Sequence, residues 1–242
     1  MPKTRIIQRV IRDADLLLEV LDARLIEQTR NTELEQTILS RGKKLLFVIN
    51  KSDLVDKAIL QNKTKELFPS IFISSRDRLG TTKLREKILS MSKGKPVTVG
   101  VIGMPNVGKS SVINALAGRK KASTSIVSGH TRGVQIVKAD NKLRLLDTPG
   151  EFLSGEGEEY ALALVGSKDF NKVKDPEHVV LRLFEEYGEA IAEHYHVTFS
   201  EDADELLKSL TVKFKLLKKG GVPDLRRMAV RVLQDWQRGL IR

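Results

Sequence analysis

At 242 residues and 40% hydrophobic content the chain has room for one packed domain of about 150 residues and a smaller appendage, and with no cysteine it can hold no disulfide, thiolate zinc site or cysteine nucleophile. No apolar stretch approaches the roughly 20 residues that span a bilayer, and Met1-Pro2-Lys3-Thr4-Arg5 leads into Ile6-Ile7-Gln8-Arg9-Val10 rather than a signal-peptide core, so a cytoplasmic protein is expected. The formal net charge of +11 is polarised: residues 1–95 carry +8, 96–150 carry +6, 151–205 carry −11 and 206–242 carry +8, a pattern in which basic faces could lie on RNA while the acidic segment points elsewhere.

Asp15 to Leu21 and Lys44 to Ile49 are short apolar runs that end in polar residues, the pattern of buried parallel strands, and Ile71-Phe72-Ile73 and Val97 to Ile102 repeat it. Helical stretches separate them at about 31–40, 54–66 and 80–92, and another helix runs from Ser110 to Ala117. Ser92-Lys93-Gly94-Lys95-Pro96 reads as the linker between two halves of one sheet. Val134 to Lys138 and Leu143 to Leu146 are two further strands, a hairpin turned at Asp140-Asn141. This alternation predicts an α/β fold over residues 1–154, a mostly parallel sheet covered on both faces in three layers.

After Gly150 the pattern turns helical, so residues 155–242 are expected to form a small all-α domain. Asp175-Pro176-Glu177 combines an N-cap with proline at the first helical position and opens a helix to about Tyr195. In the last helix Leu225, Met228, Ala229, Val232, Leu233, Trp236 and Leu240 fall on one face, and Arg227, Arg231 and Arg238 share another. His194 and His196 flank Tyr195 at a spacing a metal could use, but beside a helix end they read as polar surface.

The chemistry is concentrated where strands end. Gly103-Met104-Pro105-Asn106-Val107-Gly108-Lys109-Ser110 lies between a strand and a helix, the context of a phosphate loop. Backbone N–H groups there, those of Val107 and Gly108 included, close around phosphates at the positive end of the helix. Lys109 would bridge the β- and γ-phosphates, Ser110 would ligate Mg²⁺ and Ser111 would lie near the α-phosphate. Base choice rests on Asn50-Lys51-Ser52-Asp53. The Asp53 carboxylate can accept two hydrogen bonds from the N1 and exocyclic amine of guanine, whereas adenine would leave it desolvated and unpaired. Lys51 would lie along the base, Asn50 would tie this loop to the phosphate loop, and a backbone N–H of Ser74-Ser75-Arg76 would reach the guanine oxygen. Asp147-Thr148-Pro149-Gly150 would hold a Mg²⁺-bound water at Asp147 and meet the γ-phosphate with the Gly150 amide. The second magnesium-side hydroxyl is assigned to Thr131, with Thr124 as the alternative. The base-reading residues precede the phosphate loop, the reverse of an ordinary GTPase.

These residues resemble the YlqF/YawG family of circularly permuted GTPases. Glu19-Val20-Leu21-Asp22-Ala23-Arg24 is similar to that family's strand ending in Asp-Ala-Arg, and Thr29-Arg30-Asn31 comes after it. Lys218 to Asp224 and Asp235 to Gly239 look like the family's C-terminal segment in a compact archaeal-like form. The resemblance implies a circularly permuted P-loop GTPase that binds GTP and GDP and assists ribosome assembly, with the large subunit or its rRNA as partner. It also implies a catalytic arrangement. Glu151 and Phe152 stand where a water-orienting glutamine often succeeds the Asp-x-x-Gly motif, and related GTPases without that glutamine use K⁺ with a phosphate-loop asparagine, here Asn106. Lys109, Asn106 and Thr131 are thus the expected catalytic set, with slow hydrolysis that K⁺ and a partner would stimulate and Arg132 as a weaker arginine-finger candidate. Two other readings stand beside this one: an RNA-binding module that uses nucleotide only to stabilise its fold, and a GTPase serving a non-ribosomal partner.

Overall fold

The computed structural model describes residues 3–118, 135–148 and 158–241, which fall into two compact units, Met1–Gly155 and Glu156–Arg242. In the first unit the apolar runs become strands β1 (Leu16–Asp22), β2 (Lys44–Asn50), β3 (Ser70–Phe72), β4 (Val97–Ile102), β5 (Gln135–Lys138) and β6 (Leu143–Asp147) of one sheet in the order β3-β2-β1-β4-β6-β5. Every pairing is parallel except β5 with β6, the hairpin. All seven residues of β1 are buried, as a central strand covered on both faces must be. Because β1 pairs with both β2 and β4, the half of the chain with the expected base-reading motif and the half with the expected phosphate loop meet along this strand.

Among the described residues of this unit the helices are α1 (Lys3–Asp13), α2 (Ile26–Thr29), α3 (Thr32–Ser40), α4 (Lys57–Lys63), α5 (Thr81–Met91) and α6 (Lys109–Ala117). The expected helix at 54–66 divides. Asp56 caps α4 by accepting from the N–H groups of Ala58 and Ile59, and residues 52–54 form a separate 3₁₀ turn. Helix α1 has no counterpart among the elements expected from the sequence. It forms because Ile6, Ile7, Val10 and Ile11 share one face and bury against the sheet. That approach requires Gly100 in β4: a Cβ there would lie 2.6 Å from the Leu17 side chain and 2.7 Å from that of Val10.

The second unit holds α7 (Glu158–Leu164), a 3₁₀ turn at Phe170–Lys172, α8 (Pro176–Tyr195), α9 (Ala203–Lys213) and α10 (Leu225–Gln237). Three aspartates start three helices: Asp175 accepts from the His178 N–H, Asp202 from Asp204 and Glu205, and Asp224 from Arg227. Each such cap contributes about 1 kcal/mol. The core joins Val180, Leu183 and Ile191 of α8, Leu206 and Leu210 of α9, and Met228, Val232 and Trp236 of α10. Leu240, expected on the apolar face, is exposed. The helix ends at Gln237, the chain turns at Gly239, and the Leu240 N–H donates to the Asp235 carbonyl. His196 closes α8 in a left-handed conformation, and His194 packs edge-on against Tyr195.

Candidate nucleotide site

The loops after β2, β3 and β4 are joined by one side chain. Asn50, the last residue of β2, is 1% exposed. Its Nδ2 donates to the Val107 carbonyl at 2.8 Å, and its Oδ1 accepts from the Ser75 N–H at 3.0 Å. An apolar residue here would leave a buried carbonyl and a buried N–H without partners, the costly half of hydrogen-bond energetics. Gly108 is shaped by the same contact: its φ is +102°, and a Cβ on it would lie 2.2 Å from the Asn50 Nδ2.

Lys51 takes a left-handed conformation, φ 59°, and turns the chain into the 3₁₀ turn Ser52–Leu54. The Ser52 N–H donates to the Ile73 carbonyl at 3.1 Å, which fastens the turn to the end of β3 and leaves Asp53 partly exposed. Among the three amides assigned to the guanine oxygen, that of Ser74 donates to the Leu79 carbonyl and that of Ser75 to Asn50. The Arg76 amide is the one left without a partner among the described residues. The Ser74 hydroxyl donates to the Asp77 carboxylate at 3.0 Å, which rigidifies this loop.

Beneath Lys51 lies a network that the motifs alone do not assemble. The Lys51 ammonium donates to Asp22 Oδ2 at 2.7 Å, and Arg24 donates to both carboxylate oxygens through Nη2 and Nε, at 3.0 and 3.1 Å. Complete burial alone would raise the Asp22 pKa, but Lys51 and Arg24 outweigh it and hold the carboxyl well below its ordinary range. What assembles it is the sheet: Asp22 and Asn50 are the last residues of adjacent parallel strands and share a register position. The residue after Asn50 must therefore fall near the end of β1.

On the phosphate side, Lys109 opens α6 and is 7% exposed. Its ammonium donates to the carbonyls of Gly103 and Met104 at 3.0 and 2.7 Å. Asn106 is exposed at φ 62°, and Ser110 and Ser111 occupy the first turn of α6. Asp147 ends β6 and is nearly buried, and its Oδ1 has no partner among the described residues. Burial raises its pKa, offset only in part by Lys109 and the Thr148 N–H. An orphaned carboxylate oxygen within the field of Lys109, whose neighbour Ser110 carries a hydroxyl, fits a hard cation, so Asp147 and Ser110 are the pair that could hold Mg²⁺. Thr148, which the motif reading passed over, is buried and donates its hydroxyl to the Val101 carbonyl at 2.7 Å, pinning the end of β6 to β4. Thr131 and Gly150, and the alternatives Thr124 and Arg132, lie outside the described residues.

Residues 18–153 match the family described as RsgA GTPase, and residues 98–214 match the family described as 50S ribosome-binding GTPase. An uncharacterized GTP-binding protein of Methanocaldococcus jannaschii is 41% identical over 99% of this chain and 66% of its own. GTPase grn1 of Schizosaccharomyces pombe is 33% identical over 97% of this chain and 59% of its own, and nuclear GTP-binding protein NUG1 of Saccharomyces cerevisiae is 33% identical over 98% and 54%. The chain thus spans between about half and two thirds of the length of these curated relatives. Two solved structures are similar to it throughout. GDP-bound YlqF superposes with a TM-score of 0.67 at 26% identity, covering 97% of this chain and 94% of that one. GNP-bound YlqF from T. maritima has a TM-score of 0.66 at 24% identity, covering 99% and 95%.

Proposed function

The chain belongs to the YlqF-like circularly permuted GTPases, and on that premise we propose that it binds and hydrolyses GTP in the assembly of the large ribosomal subunit. The observation that carries the reading is the junction at Asn50, which locks the base-reading turn, the Ser75 loop and the phosphate loop into one site. In this reading Asp53 accepts from guanine and the Arg76 N–H donates to the guanine oxygen, while Lys51 is held in place by Asp22. Lys109 exchanges the carbonyls of Gly103 and Met104 for the β- and γ-phosphates, cradled by the amides of Val107 to Ser111. Ser110 and Asp147, with Thr131, would hold Mg²⁺, which would neutralise charge on the phosphates. Asn106 would hold K⁺, which would supply positive charge where Glu151 stands in place of a water-orienting glutamine.

The family described as 50S ribosome-binding GTPase is what supports the large subunit as partner. Co-sedimentation with purified subunits in potassium buffer tests it. Retention on the large subunit with a non-hydrolysable GTP analogue, and not with GDP, is the expected result; equal or absent retention moves the partner elsewhere. Turnover measured in the same tubes separates a GTPase from an RNA-binding module, which would keep stoichiometric nucleotide without hydrolysing it.

A further inference from the structure

We propose that the outer flank of α1 and the turn before β2 form a second polyanion site, a groove that grips the phosphodiester backbone of RNA at a distance from the nucleotide. The groove encloses about 610 Å³ and is lined by Arg5, Gln8, Arg9, Arg12, Arg41 and Lys43. Arg5, Arg9 and Arg12 recur at helical spacing on the face opposite the buried Ile6, Ile7, Val10 and Ile11. Arg41 and Lys43 enter from the turn between α3 and β2. The assignment rests on the reading of an RNA-containing partner, and it says which face of the GTPase unit meets that partner.

The charge is more than the fold needs. A helix C-terminus is stabilised by one or two cations, and here Lys43 meets that need by donating to the carbonyls of Arg12 and Ala14, both at 2.8 Å. Among the described residues, Asp13 is the one carboxylate that pairs with the lining residues, with Arg12 at 2.8 Å and Arg9 at 3.4 Å. Arg5 and Arg41 have no ion-pair partner among the described residues and are exposed. Arg5 and Arg41, held beside the other cations around a concavity with no carboxylate of their own among the described residues, point to an anion, and guanidinium forks suit phosphate oxygens taken two at a time.

Two features favour a polymer of phosphates over other anions. First, further cations stand along the amino-terminal edge of the sheet, with Asp15 and Asp140 between them. A second hollow of about 270 Å³ at the starts of β4 and β6 is lined in part by Lys138, Lys142 and Arg144. Strands β1, β4 and β6 are consecutive in the sheet, so these starts are roughly 5 Å apart strand to strand. Second, the apolar side chains of α1 at 6, 7, 10 and 11 are all buried, which leaves no apolar face to insert into a bilayer. The base of the groove adjoins the starts of β1 and β2, whereas the nucleotide loops extend from strand ends roughly 20 Å away along the sheet. RNA and nucleotide can therefore be held at the same time.

The test compares the full chain with the variant Arg5→Gln/Arg9→Gln/Arg41→Gln, and with a control in which the exposed Lys57, Lys65 and Lys83 become glutamine. The probe is a fluorescein-labelled RNA hairpin of about 20 nucleotides, observed by anisotropy from about 50 to 200 mM KCl. The arginine variant is expected to bind at least about tenfold more weakly, with the slope of log K against log salt shallower by about 2–3, while the control stays within about twofold of the parent. Affinity for a fluorescent GDP, unchanged in both, shows that the fold and nucleotide site are intact. An unchanged slope in the arginine variant, an equal loss in the control, or tighter arginine-dependent binding to anionic vesicles or polyglutamate would overturn the proposal. The hairpin arm involves no ribosomal particle, so it succeeds or fails separately from the large-subunit reading.

Discussion

Asn50 and Asp53 are three residues apart and differ in what they contact: one has both ends of its amide used within the protein, and the other has a partly exposed carboxylate. If Asp53 reads guanine, Asp53→Asn exchanges an acceptor pair for a donor and an acceptor and should move preference to xanthine. The expected result in nucleotide titrations is a loss of GDP affinity of about 100-fold or more with a gain for XDP; retained guanine selectivity would remove Asp53 from the base site. Glu19 makes a prediction of another kind. It is buried in β1, with Oε1 accepting from the Asn31 N–H at 2.9 Å and Oε2 lacking a partner among the described residues. Burial pushes its pKa up to about 8; the Asn31 N–H and Arg30 oppose the rise and neighbouring Glu35 adds to it. In the unfolded chain the same carboxyl ionises near the ordinary value of about 4.3. Between those values the folded chain holds the extra proton, so Glu19's contribution is complete below the unfolded pKa and is lost as pH rises towards about 8. Glu19→Gln keeps an acceptor for Asn31 and cannot ionise. Its unfolding free energy in urea should exceed the parent's at pH 8, with the difference shrinking by up to about 1.4 kcal/mol per pH unit towards pH 5. A constant difference across that range would mean that Glu19 is charged in the fold.

Elements differ in how far their sequences announce them. The strands β1, β2 and β4 are legible because each is an apolar run closed by a polar residue or a glycine, and the motif residues can be placed because parallel strands deliver their ends to one edge. Helix α1 is not, because its three isoleucines and one valine sit among arginines that read as plain surface charge until the sheet supplies a face for them. The pairings of Lys51 with Asp22 and of Thr148 with Val101 are likewise hidden, since each joins strand ends whose adjacency is a property of the sheet order. The end of α10 misleads for a local reason: the apolar period runs on to Leu240 after the hydrogen bonding has stopped. The packing of α1 itself can be checked at Gly100. Gly100→Val should cost about 1–3 kcal/mol in urea unfolding by forcing Leu17 and Val10 apart; a neutral result would mean that α1 can lift from the sheet without loss.

At the scale of the whole chain, the permutation matters because of where the chain goes after Asp147. In an unpermuted arrangement the segment after the expected γ-phosphate sensor continues within the sheet, whereas here β6 is the last strand in chain order among the described residues and the chain proceeds to the helical unit that begins at Glu156. If GTP acts through that connection to favour binding of a large-subunit particle, the effect is a coupling free energy, and coupling is reciprocal. The particle must then tighten the GTP analogue relative to GDP by the same factor by which the analogue, relative to GDP, tightens the particle. Factors of about 5–150 are ordinary for such coupling, while a nearly complete switch between two arrangements requires about 10⁴. Both sides of the cycle can be measured with one fluorescent nucleotide and one purified subunit. Equal factors on the two sides, at or above about fivefold, are the expected outcome. A factor near one on either side would leave the proposed nucleotide site as it is and remove the switch. A factor near 10⁴ would mean that the GDP form hardly populates the binding arrangement, so that hydrolysis alone suffices to release the particle.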